Sequence, residues 1–273
     1  MATASRLGLI GGTGFERAFA HGARREAVAT PYGEADLWHL RLGGREAVFW
    51  SRHGEGHGVP PHRVAWRAGL WALRLLGAER VLATCAVGSL VPARLPPGSL
   101  AVVADAIDQT RGGRPQTFFD GPPLQVVHLE CTSLYCPDLR RRLAAAAGPA
   151  GAGALPEAVM VVTEGPRLET PAEIRAYGRL GAEVVGMTGL PEVALARELG
   201  LGYASVAVVT NAAAGLAGAI DGAEIGRLAG AAQTAVGRLF AAVAAGLGDG
   251  PCECCPPPAG APPFPWPVGG RPA

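Results

Sequence analysis

Five short polar segments each follow a hydrophobic run, and their residue types could bind a small anionic, hydrogen-bonding ligand. They are 11–14 (GGTG), 51–57 (SRHGEGH), 164–170 (EGPRLET), 186–189 (GMTG) and 210–215 (TNAAAG). Backbone N–H groups of a glycine turn can surround an anion, and arginine adds charge-assisted hydrogen bonds to phosphate. Because open α/β sheets bind ligands at the carboxyl ends of their strands, the segments together predict one site.

Each segment also has a plainer structural interpretation. The glycine turn, with the Thr13 hydroxyl as an extra donor, matches neither the dinucleotide motif nor the P-loop and is typical of a tight turn. Arg52 and His53 could form a fork for phosphate, although histidines in a loop are often only surface residues. Glu169 precedes a predicted helix, where a carboxylate can simply favour the helix dipole. The functional interpretation makes Glu169 an acceptor for a ligand N–H.

Strand-like runs and helical periodicities alternate along the chain. Hydrophobic runs predict strands at 7–10, 45–50, 80–84, 99–103, 158–163, 184–187 and 203–210. Apolar residues at helical spacing predict helices at 64–76, 170–180, 190–199 and about 223–247. In the third helix we expect Glu192 and Arg197 to face outward. The alternation predicts a single α/β domain over residues 1–247, with a central mixed, largely parallel β-sheet flanked by helices.

The composition excludes several classes of function. The 273 residues are 49% hydrophobic and 17% charged, which rules out global disorder. The 24 basic residues against 23 acidic ones leave a net charge of +1, so no basic face for nucleic acid is expected. The absence of lysine excludes Schiff-base chemistry and the Walker-type P-loop. We recognise no signal peptide and no apolar run of membrane-spanning length, so we expect a cytoplasmic protein without a membrane partner.

The cysteines divide into a scattered set and a cluster. The scattered set, interpreted as small buried hydrophobes in a reducing cytosol, is Cys85, Cys131 and Cys136. The cluster comprises Cys252, Cys254 and Cys255. It lies in residues 248–273, where 9 prolines in 26 residues predict an extended, flexible tail. A zinc site would need a fourth ligand and no histidine follows His128, so an inert tail is favoured over a metal or redox site.

The order and composition of these segments resemble the trimeric purine nucleoside phosphorylase and methylthioadenosine phosphorylase family. The resemblance spans about residues 7–240 and also rests on 87–90 (VGSL), 108–110 (DQT), 116–121 (QTFFDG), 186–200 (GMTGLPEVALARELG) and 208–211 (VVTN). It implies the nucleoside phosphorylase fold, a homotrimer, and phosphorolysis of a purine nucleoside or thionucleoside to free base and a ribose 1-phosphate. Inorganic phosphate is then a co-substrate, and no cofactor or metal is implied.

The resemblance also implies roles for individual residues. The phosphate would be held by Thr13, Arg52, His53, the Ala86 backbone and Thr188. Met187 would pack against the ribose and Leu168 against the base, and His128 would reach the site of a neighbouring subunit. Cys85 stands where many relatives carry Thr or Ser, and a thiol is a weak donor that should add little to phosphate affinity.

Asn211 and Glu169 indicate which purine is recognised. The base leaves with developing negative charge, so catalysis needs a hydrogen-bonding partner for it. Methylthioadenosine phosphorylases carry Asp and Ser at these two positions. A carboxamide can donate to O6 and accept from a protonated N7, while a carboxylate accepts from N1–H of a 6-oxopurine. Adenine would leave these groups mismatched, at about 1–3 kcal/mol for each unpaired buried group. We therefore expect hypoxanthine or guanine.

The sugar's 5′ substituent is a separate question. Oxopurine phosphorylases of this type generally carry a histidine after the asparagine to bind the 5′-hydroxyl, whereas Gly222 and Ile225 offer small and apolar groups here. A hydroxyl would lack a partner, so we expect a 5′-methylthio group. The expected reaction converts S-methyl-5′-thioinosine and phosphate to hypoxanthine and 5-methylthioribose 1-phosphate, in purine and methylthio salvage. A methylthioadenosine phosphorylase, an inosine or guanosine phosphorylase and a non-catalytic nucleoside-binding protein remain alternatives.

Overall fold

A nine-stranded mixed β-sheet forms the centre of the molecule in a computed structural model that describes residues 5–12, 15 and 19–266. The strands are β1 (Arg6–Gly11), β2 (Arg24–Thr30), β3 (Gly33–Leu42), β4 (Arg45–Ser51), β5 (Ala78–Ser89), β6 (Leu100–Gln109), β7 (Glu157–Thr163), β8 (Val184–Gly186) and β9 (Gly202–Ala212). Within the described residues the helices are α1 (Trp66–Leu75), α2 (Pro137–Ala147), α3 (Pro171–Arg179), α4 (Gly189–Glu198) and α5 (Gly222–Ala245). Short 3₁₀ helices span Glu55–His57 and Pro61–Arg63.

The strand order is β2-β3-β4-β1-β5-β8-β7-β6-β9, and β9 also pairs with β5. Strands β5, β8, β7, β6 and β9 therefore close into a ring, and the other four strands extend from β5. Strand β1 is parallel to β4 and β5, and β5 is parallel to β9 but antiparallel to β8. The predicted mixed α/β architecture is confirmed.

The predicted strands and helices are present with shifted ends, but three elements were not expected. Strands β2 and β3 form an antiparallel hairpin, and α2 precedes β7. Strand β2 has the sequence RREAVAT and buries only Val28, so it lacks the hydrophobic run that marks the other strands. Helix α2 carries three consecutive arginines and buries only Leu139, Leu143 and Ala147, so its apolar stripe is too narrow to stand out in the sequence.

Helix α4 is buried on almost every side, so the expectation that Glu192 and Arg197 face outward is wrong. Glu192 is 0% exposed and Arg197 is 5% exposed. The helix contacts α1 and strand β9. A charged side chain is buried this deeply only when it is paired, and the partners of both residues come from distant parts of the chain.

Residues 248–266 lie against the core, so the expected flexible tail is corrected for this part. They form no regular helix or strand, yet Cys252, Cys255 and Trp266 are buried. The Trp266 ring contacts the rings of Trp71, Phe118, Phe119 and Phe264. An extended proline-rich chain needs no hydrogen-bonded ladder and can still bury large side chains. Residues 267–273 lie outside the described residues.

Helix α5 is long and apolar enough to cross a membrane by length and composition alone, with a mean hydropathy of 1.3. The expectation was that no apolar run has membrane-spanning length, and Glu224, Arg227 and Arg238 interrupt the apolar residues of this helix. One such helix is weak evidence, because the core helices of globular proteins pass the same test. Here Val236, Leu239, Phe240 and Val243 of α5 are buried in a core cluster with strands of the sheet.

Candidate active site

A cleft of about 270 Å³ lies where several strands end. The last residues of β5 and β9 line it, together with the segments that follow β4, β7 and β8. Nine of the predicted site residues line this one cleft: Arg52, His53, Ala86, Leu168, Glu169, Met187, Thr188, Asn211 and Ile225. The structure thus brings together residues that are up to 173 positions apart in the sequence.

Two described site residues of the prediction, Gly222 and His128, do not line the cleft. Thr13 lies outside the described residues. Gly222 is exposed at the start of α5, where Asp221 caps the helix, and Ile220 lines the cleft in its place. His128 is exposed and does not line the cleft. Its predicted role concerns a neighbouring subunit and stays a prediction.

Arg52 is held rigidly by a carboxylate that the sequence analysis did not assign to the site. Its Nε and Nη2 donate to Glu192 at 2.7 and 2.8 Å, and Nη1 donates to the Thr84 carbonyl at 2.7 Å. The Tyr203 hydroxyl donates to the same carboxylate. Glu192 therefore occupies the Nε and Nη2 edge of the guanidinium, and the predicted contact of Arg52 with phosphate stays a prediction for Nη1. Nη1 also lies 3.5 Å from Thr188 Oγ1, at the start of α4.

His53 is a buried, neutral histidine. Burial and, next, the charge of Arg52 lower the pKa of His53 from its usual 6.5 to about 3. Its Nδ1 lies 2.8 Å from the Val59 carbonyl oxygen, which can only accept, so Nδ1 carries the proton. Nε2 is then an acceptor. This side chain can bind a phosphate oxygen that carries a proton, such as that of HPO₄²⁻.

Thr188 and Cys85 differ in where their polar atoms lie. Thr188 precedes α4 and makes no side-chain capping hydrogen bond, so its hydroxyl is available to a ligand at the helix start. The Cys85 sulfur lies 3.5 Å from Ser205 Oγ inside the core, and Cys85 does not line the cleft. Burial raises the pKa of Cys85 to about 11, which keeps the thiol protonated.

Glu169 and Asn211 are half-buried and each keeps hydrogen-bonding capacity. The Thr163 hydroxyl donates to Glu169 Oε1 at 2.7 Å. Asn211 accepts from Thr210 Oγ1 at 3.0 Å and donates through Nδ2 to the Ala212 carbonyl at 2.8 Å. Each side chain is thus oriented by one or two neighbours, while one carboxylate oxygen, one amide N–H and one carbonyl lone pair remain.

Arg114 is a buried residue that supports the cleft without lining it, and it was not predicted from the sequence. It is 4% exposed, and its guanidinium donates to the carbonyl oxygens of Met187, Leu190, Thr163 and Glu164. It also pairs with the Glu164 carboxylate at 3.1 Å. One side chain therefore ties together the segments after β7 and β8 that carry Glu169 and Thr188.

Met187 is positioned through a glycine. Gly165 has a φ of +63°, and a Cβ there would lie 2.4 Å from Met187 Sδ. Any side chain at this position would therefore be strained and would displace a residue of the cleft.

Arg114 and Glu192 were not predicted, because the sequence around them gives weaker signals of a functional role. Glu192 shares its helix with Arg197 and Glu198, so its local sequence resembles that of a surface charge and does not indicate a buried partner.

The chain matches the family model described as the phosphorylase superfamily over residues 6–245. It is 48% identical over 212 residues to a probable S-methyl-5′-thioinosine phosphorylase of Methanopyrus kandleri, covering 78% of this chain and 80% of that protein. It is 47% identical over 218 residues to a 6-oxopurine nucleoside phosphorylase of Pyrococcus furiosus, covering 78% and 82%.

A solved structure agrees with these relatives. The methylthioadenosine phosphorylase from Schistosoma mansoni in complex with adenine superposes with a TM-score of 0.83 at 30% identity, covering 88% of this chain and 91% of that one. The match includes the strands whose ends form the cleft, since the family model spans β1 to α5. The chain belongs to the phosphorylase superfamily and is a pentosyltransferase of the purine nucleoside phosphorylase type.

Proposed function

We propose that this enzyme catalyses the phosphorolysis of S-methyl-5′-thioinosine to hypoxanthine and 5-methylthioribose 1-phosphate. One observation carries the proposal: Glu169 and Asn211 line the same cleft as Arg52 and Thr188, with unused hydrogen-bonding groups that complement a 6-oxopurine. The reaction serves purine and methylthio salvage, and inorganic phosphate is its co-substrate without a further cofactor.

The base assignment follows from donors and acceptors. Thr163 occupies Glu169 Oε1, which leaves Oε2 to accept from N1–H of hypoxanthine. Asn211 has a second amide hydrogen for O6 and a second lone pair for a protonated N7. As the C–N9 bond breaks, negative charge spreads over the purine, and these contacts strengthen with it. Glu169 and Asn211 are therefore the proposed catalytic and base-selecting residues.

Phosphate would be bound beside the anomeric carbon by Arg52 Nη1, the Thr188 hydroxyl and His53 Nε2. Thr13 and the Ala86 backbone remain proposed members of this group. Arg52 would supply positive charge through Nη1 alone. Its ion pair with Glu192 avoids the free energy penalty of an unpaired buried cation. Phosphate attacks C1′ as the purine leaves, and the O–H group of HPO₄²⁻ donates a hydrogen bond to Nε2 of the neutral His53.

The sugar's 5′ substituent would lie against apolar side chains. Ile220 and Ile225 line the cleft and offer contact to a methylthio group but no hydrogen bond to a hydroxyl. Leu168 and Met187 would pack on the base and ribose. We also propose that the enzyme is a cytoplasmic homotrimer in which His128 completes the site of a neighbouring subunit.

Inosine is the second candidate substrate, because His57 also lines the cleft and can hydrogen-bond a hydroxyl. Its ring lies 4.3 Å from that of His53, centroid to centroid. Substituting His57→Ala distinguishes the candidates. Activity on inosine would fall if His57 binds the 5′-hydroxyl, whereas activity on methylthioinosine should be retained.

A substrate panel tests the proposal directly. The full-length enzyme is assayed with methylthioinosine, methylthioadenosine and inosine, each with and without phosphate, and the free base is measured by chromatography. We expect phosphate-dependent hypoxanthine release, with the highest kcat/KM for methylthioinosine. A tenfold preference for methylthioadenosine would refute the base assignment, and a preference for inosine would refute the 5′ assignment. Binding without release of base would indicate a non-catalytic nucleoside-binding protein.

A further inference from the structure

Four cysteines converge at one point outside the cleft. The sulfur atoms of Cys136, Cys252, Cys254 and Cys255 all lie within 4.8 Å of one another. The closest separations are 3.3 Å from Cys254 to Cys136 and to Cys252, and 3.5 Å from Cys136 to Cys252. The tail provides three of these thiols, and Cys136, which precedes α2, provides the fourth. An inert tail was favoured over a zinc site in the sequence analysis because the tail alone does not contain this fourth ligand.

The spacing of the sulfurs suits a tetrahedral metal ion. Zinc binds thiolates at about 2.3 Å, which places the four sulfurs of a tetrahedral site about 3.8 Å apart. The sulfur–sulfur separations in the cluster start at 3.3 Å and do not exceed 4.8 Å, so they lie on both sides of that value. An all-thiolate set also favours zinc over the hard cations, which prefer oxygen.

Donors and positive charge surround the cluster. The Leu139 backbone N–H donates to Cys136 Sγ at 3.5 Å from the first turn of α2, and Arg197 Nη1 donates to Cys255 Sγ at 3.4 Å. Arg80 lies beside the same segment, because its guanidinium donates to the carbonyl oxygens of Gly250 and Pro251, just before Cys252. Four thiolates around Zn²⁺ carry a net charge of −2, which two arginines offset.

The backbone is shaped to hold the ligands and to admit the ion. The Cys255 N–H donates to the Cys252 carbonyl at 2.9 Å, so the CECC segment turns back on itself. A Cβ on Gly202 would lie 2.7 Å from Cys252 Sγ, so this glycine makes room for the ligand at the start of β9. Cys254 is exposed while the other three sulfurs are buried, which provides an entry path.

We propose that Cys136, Cys252, Cys254 and Cys255 bind one zinc ion in a closed structural site that fastens the tail to α2 and β9. Binding displaces the protons that the thiols carry into solvent and forms four Zn–S bonds, and no atom is oxidised or reduced. The metal is structural because all four positions are filled by protein and the cluster lies outside the lining of the cleft.

Metal analysis of the full-length protein tests this proposal. The protein is purified under reducing conditions from zinc-supplemented cells, and zinc is measured by mass spectrometry. We expect one zinc per chain, with loss of zinc in Cys254→Ser and retention in Cys131→Ser, an exposed cysteine outside the cluster. Removing zinc should lower the melting temperature and leave kcat for phosphorolysis unchanged at temperatures where the protein stays folded.

A second measurement keeps the proposal testable if Cys254→Ser folds poorly. Co²⁺ added to zinc-free wild-type protein should produce the thiolate charge-transfer and intense visible bands of a tetrahedral sulfur site, which Zn²⁺ then removes. Six freely reactive thiols without bound metal would overturn the proposal. So would a mass decrease showing that Cys136 is joined to the tail by a disulfide in protein purified under reducing conditions.

Discussion

The residues proposed to bind phosphate and those proposed to bind the base are held in opposite ways. Arg52 and His53 are buried, and Arg52 is locked by a bidentate ion pair with Glu192, which is itself fully buried. Glu169 and Asn211 are half-buried, and they are oriented by one and two hydrogen bonds, respectively, to residues at the ends of strands. One group is part of the core, whereas the other is placed on its surface.

This contrast teaches where the enzyme can change. A buried charge pair cannot lose one partner without stranding the other, so changes near Arg52 should affect folding and catalysis together. A half-exposed hydrogen-bonding side chain can be exchanged at little cost to stability. Substrate choice can therefore vary at the base while the phosphate-binding residues stay as they are.

The largest effect is expected from Glu192→Gln. The substitution leaves the buried Arg52 charge uncompensated and should cost about 3–5 kcal/mol of the free energy of unfolding. The KM for phosphate should rise in parallel, since Nη1 loses its fixed position. Chemical denaturation and phosphate titration measure the two effects. Tyr203→Phe, which removes one hydrogen bond to the same carboxylate, should cost only about 1 kcal/mol.

Asn211→Asp should instead change specificity alone. A carboxylate accepts from the N6 amino group and cannot donate to O6, so the kcat/KM ratio of methylthioinosine to methylthioadenosine should fall about 10- to 100-fold. The melting temperature should stay near that of the wild type. Gln233→Glu, the same amide-to-acid change on α5 outside the cleft, should leave the ratio unaltered. An unchanged ratio in Asn211→Asp would contradict the base assignment.

Lowering the pH should reduce the free energy of unfolding, because His53 is buried as a neutral ring. Its pKa in the folded protein is about 3 against an ordinary 6.5, so the unfolded chain binds a proton first as pH falls. The stability contributed by the neutral ring is complete above pH 6.5 and declines down to about pH 3. Between pH 7 and pH 5 the loss should reach up to about 2 kcal/mol. Denaturation at the two pH values should show a smaller difference in His53→Gln.

The smallest effect is expected from Cys85→Ser. The Cys85 sulfur lies beside Ser205 in the core and does not line the cleft, so the KM for phosphate should change less than twofold. The exchange of a thiol for a hydroxyl beside Ser205 should shift stability by no more than about 1 kcal/mol. A large fall in KM would indicate that the side chain reaches the phosphate after all.

Much of the cleft was predictable because its residues follow hydrophobic strands that are recognisable in the sequence. Arg52 follows β4 and Asn211 lies at the end of β9, and parallel strands bring such ends to one edge of a sheet. Thr188 follows β8, which is antiparallel to β5, so this rule does not account for its place in the cleft. Gly222 was predicted to line the cleft because it is a small residue in the segment after Asn211, but Asp221 caps α5 and the residue that lines the cleft is Ile220.

The supporting residues were not predictable in this way. Glu192 has the local pattern of a surface charge on a helix, and Arg114 lies in a loop without periodicity. The Pro-rich segment was interpreted as unpacked because it has no regular secondary structure. Burial without regular structure depends on the partner surface, here the rings around Trp71, and a single segment does not encode that surface.

The sequence by itself determined the chemical types at the strand ends, the alternation of strands and helices, and the family. These are local properties, because hydrophobic periodicity and turn chemistry act over a few residues. Only the tertiary structure decided that Glu192 holds Arg52 across 140 residues and that Cys136 joins the tail cysteines across 116. Such contacts form when the closed sheet brings distant segments together, and the free energy of burying a charge or a thiol depends on those neighbours.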